Sequence, residues 1–280
     1  MDPVTSLAEG LAAAPLGHAT AYPDTYDAKL LFPLPRAPQR AELGIGAKLP
    51  FDGADVWTAY EHTWLDLTGK PVVAMLSFAV PATSPAIVES KSVKLYLGSF
   101  AQSSFADGGD VAARVERDLS AATGVPVAVT LTPQREFRDA RIAQPAGESI
   151  DRIELAIDRY EVHPGYLKAG RDEVRETLRT DLFRSLCPVT GQPDYASLSI
   201  AYAGPRIDRA GLLRYVVSYR RHAGFHEHCV ERIFTDLVAR CHCRELSIEA
   251  RFTRRGGIDI NPFRSNAAAP LPANVRTPRQ

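Results

Sequence analysis

Long apolar runs are missing from this chain. Its most hydrophobic stretch, residues 71–82, is far shorter than the roughly 20 residues a bilayer-crossing helix needs. No Lys or Arg precedes Lys29, so no positively charged secretory leader is expected. Cysteine is scarce: four in 280 residues, with Cys241 and Cys243 one residue apart. Such a set builds no disulfide framework and fits a cytoplasmic setting with free thiols. Excess charge of either sign is also absent, since Lys plus Arg is 33 and Asp plus Glu is 33. A protein gripping RNA or DNA through phosphates carries a basic surplus or stripe, so no direct nucleic-acid partner is expected. No Gly-rich dinucleotide fingerprint follows an expected strand, which leaves a nicotinamide cofactor, if used, outside a Rossmann fold.

What is present is an ordinary globular composition, 45% hydrophobic and 24% charged, long enough for one large domain or two compact halves. Residues 1–50 are rich in Ala and Pro and read as an irregular arm. In the first half, residues 51–150, strands are expected over 56–67, 72–80 and 93–100, the last from Val93, Leu95 and Leu97 alternating with Lys94 and Tyr96. A helix opens near Asp110, carries Val111, Val115 and Leu119, and closes at Gly124 before a strand through Val127, Val129 and Leu131. The second half, residues 151–266, begins with Ile153, Leu155 and Ile157 alternating as a strand. Val174, Leu178, Leu182 and Leu186 then predict a helix over 172–186, followed by strands over 198–202 and 213–221. A second helix, 227–243, and a strand through Leu246, Ile248, Ala250 and Phe252 complete it, and residues 267–280 form a tail. Adjacent strands without strict strand–helix alternation indicate an α+β fold with antiparallel sheets.

Four segments carry chemistry. In Cys187-Pro188-Val189-Thr190-Gly191-Gln192-Pro193-Asp194 a Pro/Gly turn folds back and sets a carboxylate near a thiol. Cys187 is either a buried structural cysteine or a nucleophile. After a helix C-terminus it sits at the negative dipole end, so as a nucleophile it needs Asp194 to take its proton. In Val88-Glu89-Ser90-Lys91-Ser92-Val93-Lys94 a carboxylate at a strand mouth can accept two parallel hydrogen bonds from a guanine-like edge. The alternative is a solvated edge strand. Phe225-His226-Glu227-His228-Cys229 opens a helix, with first-turn stabilisation by Glu227 as the plain reading. A zinc site joining it to Cys241, His242 and Cys243 lacks the paired spacing of structural sites, so no metal is expected. In Thr253-Arg254-Arg255-Gly256-Gly257 the glycines let backbone approach an anion that the guanidiniums hold.

Together these motifs resemble the NADPH-dependent 7-cyano-7-deazaguanine reductases of queuosine biosynthesis. Glu-Ser-Lys-Ser-Val-Lys-Leu-Tyr, Cys-Pro-Val-Thr-Gly-Gln-Pro-Asp, Phe-His-Glu-His-Cys-Val-Glu-Arg-Ile and Arg-Arg-Gly-Gly-Ile-Asp-Ile-Asn-Pro-Phe-Arg occur in that order. The likeness runs from Gly17 to Asn266 and matches the two-module branch. It implies an α+β fold of two tandem tunnelling-fold modules, antiparallel sheets with helices packed on one side, assembled as a homodimer. It further implies a covalent thioimidate on Cys187 with Asp194 as acid/base. Val88, Glu89, Ser90, His226 and Glu227 would hold the 7-deazaguanine substrate; Ser90, Lys91, Arg255 and Gly256 would hold NADPH. A tunnelling-fold cyclohydrolase acting on a pterin or purine, or a purine-binding module without turnover, are the alternatives.

Overall fold

The computed structural model describes residues 21–280; residues 1–20 of the expected arm lie outside them. The fold is mixed α+β with antiparallel sheets. Two compact units emerge, each discontinuous in sequence. One comprises the chain to Gly44, Val56–Ala140 and Arg254–Asp259; the other comprises Ile45–Asp55, Arg141–Thr253 and Ile260–Gln280.

In the first unit β1 (Pro33–Pro35) and α1 (Ala37–Glu42) precede β2 (Asp52–Leu65), whose first four residues count to the second unit. β3 (Pro71–Pro81), β4 (Ala86–Val88), α2 (Ser90–Gly98), α3 (Gly108–Thr123) and β5 (Ala128–Pro133) follow. The strand order is β5-β3-β2, with β3 and β5 antiparallel and β1 paired separately with β4. Trp57 stacks on Phe78 at 5.4 Å, and Val111, Val115 and Leu119 bury one face of α3 completely. That helix begins two residues before Asp110, at Gly108: Asp107 caps it by accepting from the Asp110 amide, and Gly124 ends it at φ 77°. The arm is fastened by Tyr26, whose hydroxyl donates to Asp118, a carboxylate shared with Tyr96.

The segment expected to be a strand over 93–100 is instead the helix α2. Val93, Tyr96, Leu97 and Phe100 are buried at three- and four-residue spacing, and both Glu89 carboxylate oxygens accept amides of the first turn, Lys91 at 2.6 Å and Ser92 at 2.8 Å. That cap decides for the helix over a short alternating pattern.

In the second unit β6 (Glu148–Ser149), β7 (Ala169–Leu186) and β8 (Pro193–Ile207) lead to α4 (Arg209–Val217), α5 (His226–Cys241), β9 (Glu245–Phe252) and β10 (Ile258–Ser265). Their order is β10-β9-β8-β7-β6, antiparallel except for β6 against β7. The stretch expected to be a helix over 172–186 is therefore the strand β7. Four-residue spacing is a multiple of the strand period of two as well as near one helical turn. A register shift between Thr180 and Phe183 changes which side chains face inward. Leu178, Thr180, Phe183, Ser185 and Cys187 are buried, while Leu182 is 42% exposed.

Residues 213–221 also change class. They belong to α4, capped by Asp208, and to a 3-10 turn at Ser218–Arg221. The apolar run buries Leu212, Leu213, Tyr215, Val216 and Tyr219, and such a run carries no period that separates helix from strand. Ile153, Leu155 and Ile157 keep their alternation between half-buried and exposed positions without joining a ladder.

One charge cluster is fully internal to this unit. Arg264 on β10, with no exposure, donates from Nε and Nη2 to Glu231 Oε1 on α5 at 3.0 and 2.8 Å. Its Nη1 lies 2.8 Å from Asp55. Burial alone would depress the Arg264 pKa, but Asp55 and Glu231 more than offset that and raise it. Arg264→Met strips both carboxylates of their buried partner, so urea unfolding should lose about 3–5 kcal/mol; a loss under about 1 kcal/mol would show that the cluster contributes little.

The first unit holds a buried histidine of the opposite kind. His62 packs against Trp64 and Phe100, its ring nitrogens make no hydrogen bond among the described residues, and burial lowers its pKa from about 6.5 to about 4. The folded state therefore resists a proton that the unfolded chain accepts. Its contribution is intact above pH 6.5 and is lost as pH falls toward 4. Between pH 7 and pH 4.5, His62→Leu should lose about 2 kcal/mol less stability than the parent protein; equal losses in paired denaturation curves would show that another group controls acid unfolding.

Candidate active site

Cys187 directly follows β7, where the chain reverses into β8. The reversal is closed by backbone bonds from Cys187 N to Gln192 O, 2.8 Å, and from Gly191 N to Cys187 O, 3.0 Å. Ladder pairing then sets Ser185 opposite Asp194. Residues directly opposite share a sheet face, and residues two apart on one strand share it too. Ser185, Cys187 and Asp194 thus lie on one face, all buried, Cys187 at 4% and Asp194 at 3% exposure. The thiol follows a strand, so the negative helix end expected beside it is absent. The helix end tied to this corner is an N-terminus: Leu186 N donates to His222 O, Gly224 N donates to Leu186 O, and α5 begins two residues later.

His226, the first residue of α5, brings Nε2 to 3.4 Å from Asp194 Oδ2. On its other side the imidazole lies flat on Phe252, with ring centroids 3.7 Å apart and planes 3° apart. Glu227, in the same first turn, is buried. The plain reading of Glu227 as a first-turn acid holds for its place, since Phe225 caps the helix with no side-chain bond.

The other thiols are poor nucleophiles. Burial pushes Cys229 and Cys241 up to about 12 and Cys243 to about 11. His222, whose ring like the Cys229 sulfur lies against Gly224, is held down to about 4, and therefore neutral, by burial, then Arg232 and His228.

The remaining expected residues gather in the first unit. Val88 and Glu89 are buried, and Ser90 and Lys91 start α2 half-exposed. Glu89 Oε1 accepts from the Lys91 amide and, at 3.4 Å, from Ser90 Oγ, and Oε2 accepts from the Ser92 amide, which fixes its orientation. A carboxylate has about four acceptor positions, so about one, on Oε2, is left over from these bonds. The Arg254–Gly257 turn belongs to the same unit, with Arg255 N and Ile258 O joined at 2.9 Å. Arg254 stacks over Tyr60 at 4.5 Å, which gives its guanidinium a structural contact. Gly256 has φ 60°, and a Cβ there would press within 3.2 Å of the Lys94 side chain. The glycine thus lets a cationic stem lie along the turn. Arg255, Lys91 and Lys94 with exposed Gly256 backbone make a donor set suited to the phosphates of a dinucleotide such as NADPH.

Sequence reasoning missed Phe252 as a site residue, because its position at the end of an alternating strand marks it only as core. It also missed Ser185 and His222, whose surroundings depend on the strand assignment of 172–186.

The family model described as nitrile reductase, 7-cyano-7-deazaguanine-reductase N-term matches residues 22–131, and that described as QueF-like protein matches residues 193–270. The NADPH-dependent 7-cyano-7-deazaguanine reductase of Burkholderia mallei (strain SAVP1) is 55% identical over 269 residues, 95% of this chain and 98% of that one. Those of Burkholderia thailandensis and Burkholderia multivorans match at the same identity and coverage. A crystal structure of the archaeosine synthase QueF-Like in the apo form aligns over 37% of this chain and 100% of its own, at 18% identity and a TM-score of 0.31. With more than half of its residues identical to these reductases along nearly its whole length, the chain belongs to the 7-cyano-7-deazaguanine reductase family.

Proposed function

We propose that this chain reduces the nitrile of 7-cyano-7-deazaguanine to the aminomethyl group with two NADPH, through a thioimide on Cys187. The observation that carries the reading is the hairpin end that puts Cys187 and Asp194 on one buried face, with His226 against the carboxylate. A nitrile carbon is a weak electrophile. Adding a thiol first divides one hard reduction into easier steps. Asp194 takes the thiol proton as sulfur bonds to carbon, and returns it to the nitrile nitrogen as one π bond is lost. The product is R–C(=NH)–S–Cys187, so no atom is gained or lost. Ser90, Lys91, Arg255 and Gly256 would hold NADPH, which would supply one hydride in each of two turns; after the first, the C–S bond would break to return the Cys187 thiol and leave an imine, and the second, with a proton, would give the amine.

His226 keeps the Asp194 carboxylate oriented between these transfers. Val88, Glu89 and Ser90, with Glu227, supply the acceptors that a guanine-like edge requires, two N–H donors meeting a carboxylate. In this reading residues 51–150 and 151–266 are the two modules, the enzyme is a cytoplasmic homodimer, and it handles the free base with no direct nucleic-acid contact. The zero net charge supports that last point, and no helix among the described residues is long and apolar enough to cross a membrane.

Protein mixed with 7-cyano-7-deazaguanine and no cofactor should gain the mass of one substrate molecule, and Cys187→Ala should gain none. An adduct that persists in Cys187→Ala would remove the nucleophile from this position. Asp194→Asn should form the adduct roughly 10²–10⁴-fold more slowly, the usual loss for an acid/base group.

A second test separates the cofactor residues. The extra phosphate of NADPH carries about one to two charges, so Arg255→Ala should raise KM for NADPH, narrow the preference over NADH, and leave adduct formation intact. An unchanged NADPH KM in steady-state kinetics with both cofactors would take Arg255 out of that role.

A further inference from the structure

The tail beyond Asn266 enters none of the motifs above, yet its last residue is among the buried polar groups of the second unit: Gln280 is 4% exposed. Its amide is engaged at both ends. Nε2 donates to Phe252 O at 2.9 Å and to Asn261 Oδ1 at 2.8 Å, while Oε1 accepts from Arg251 Nε at 3.2 Å and from the Thr277 amide at 3.0 Å. Asn261 Oδ1 also accepts from Phe252 N at 3.1 Å. The backbone of Phe252 is therefore clipped on both sides, its N–H by Asn261 and its carbonyl by Gln280. Arg251, the residue before it, is held in addition by Asn274 at 2.9 Å. Phe252 is the residue on whose ring His226 lies flat, and His226 is the residue that meets Asp194.

We infer that Gln280 is a positioning residue of the reaction: through Phe252 it fixes the plane of His226 and hence the alignment of His226 with Asp194. Three physical points support this. A stack at 3.7 Å with planes 3° apart leaves the imidazole little freedom to tilt. The ring that sets this plane belongs to the last residue of β9, which is held toward β8 by pairing with Ala196 and by the bond from Thr253 N to Tyr195 O, so what remains to be fixed is its N–H and carbonyl on the other edge. Side-chain amides of Asn261 and Gln280 bind those groups, and a primary amide offers the two donors and the accepting oxygen that this corner uses at once. The inference rests on the reading of Asp194 as the acid/base of nitrile addition.

Gln280→Glu tests it, because the carboxylate keeps the acceptor for Arg251 and Thr277 and turns the donor toward Phe252 O and Asn261 Oδ1 into a third acceptor. The rate of adduct formation with 7-cyano-7-deazaguanine, without cofactor, is followed by mass spectrometry across pH. Gln280→Glu should slow it about ten- to a hundredfold, the scale for a misplaced catalytic group, shift the pH profile, and leave KM for NADPH unchanged. Arg279→Ala is the control. It loosens the same tail by removing bonds to Asp181 O, Ser197 Oγ and Ala196 O while the Gln280 bonds to Phe252 O and Asn261 stay, and should leave the pH profile of the parent. Gln280→Met, which keeps the volume and loses the polar ends, should slow the reaction likewise and serves if the Glu variant does not fold. In a Phe252→Leu background Gln280→Glu should add little further loss. Fully additive effects, or slowing only in proportion to lost thermal stability with an unshifted pH profile, would overturn the role of Gln280. Absence of any adduct in the parent protein would instead overturn the proposed reaction, and this inference with it.

Discussion

The second unit is organised around a charge that has no contact with water. Arg264 is wholly buried between Glu231 and Asp55, and a buried guanidinium is tolerated only where its forked donors meet carboxylates in good geometry. Glu231 lies five residues along α5 from His226, so the ion pair fixes the rotation and height of the helix whose first turn carries His226 and Glu227. Asp55 ties the same guanidinium to β2. Apolar packing of Val230, Ile233, Phe234 and Leu237 would hold that helix on the sheet, but packing tolerates sliding better than a directional, desolvated contact does. The triad selects one register, and the site depends on that register, because the contact between His226 and Asp194 joins the helix to the sheet.

The same dependence explains which parts of the fold were legible in sequence. Where burial followed one period over enough residues, as at Val111, Val115 and Leu119 or at Leu246, Ile248, Ala250 and Phe252, the element was read correctly. At Val174, Leu178, Leu182 and Leu186 a spacing of four was compatible with both periods, and a register shift in β7 placed a Leu where a core strand would not expose one. At Val93, Leu95 and Leu97 alternation held for five residues, too few to outweigh the cap that Glu89 supplies. Residues 213–221 carried no period at all. Each of these was decided by hydrogen bonds or by tertiary burial, neither of which is written in a local window.

The candidate site was more legible than the fold around it, for a related reason. Cys187 and Asp194 are joined by a short Pro/Gly turn, so their proximity follows from local chain chemistry whether a helix or a strand precedes them. The dipole penalty expected at the sulfur is absent, since β7 brings no negative helix end to it. His226 and Glu227 were visible as a polar cluster opening an amphipathic helix. Phe252 and Gln280 were not, because their roles arise from contacts across 26 or more positions in sequence and involve a strand end and a tail that look unremarkable in isolation.

The chemistry of the site is set as much by suppression as by activation. Four thiols lie in this chain, and three are pushed to about 11 or 12 by burial, where almost none of each is thiolate at neutral pH. Cys229 illustrates the point: it sits near Ser185 and Asp194, and both its own burial and the Asp194 charge raise it. One carboxylate thus has opposite consequences for two neighbouring sulfurs. It opposes a negative charge on Cys229 by repulsion at a distance, whereas in the proposed reaction it would take the Cys187 proton. Discrimination between them rests on where the ladder and the turn place each sulfur, and so on the register that β7 and β8 share.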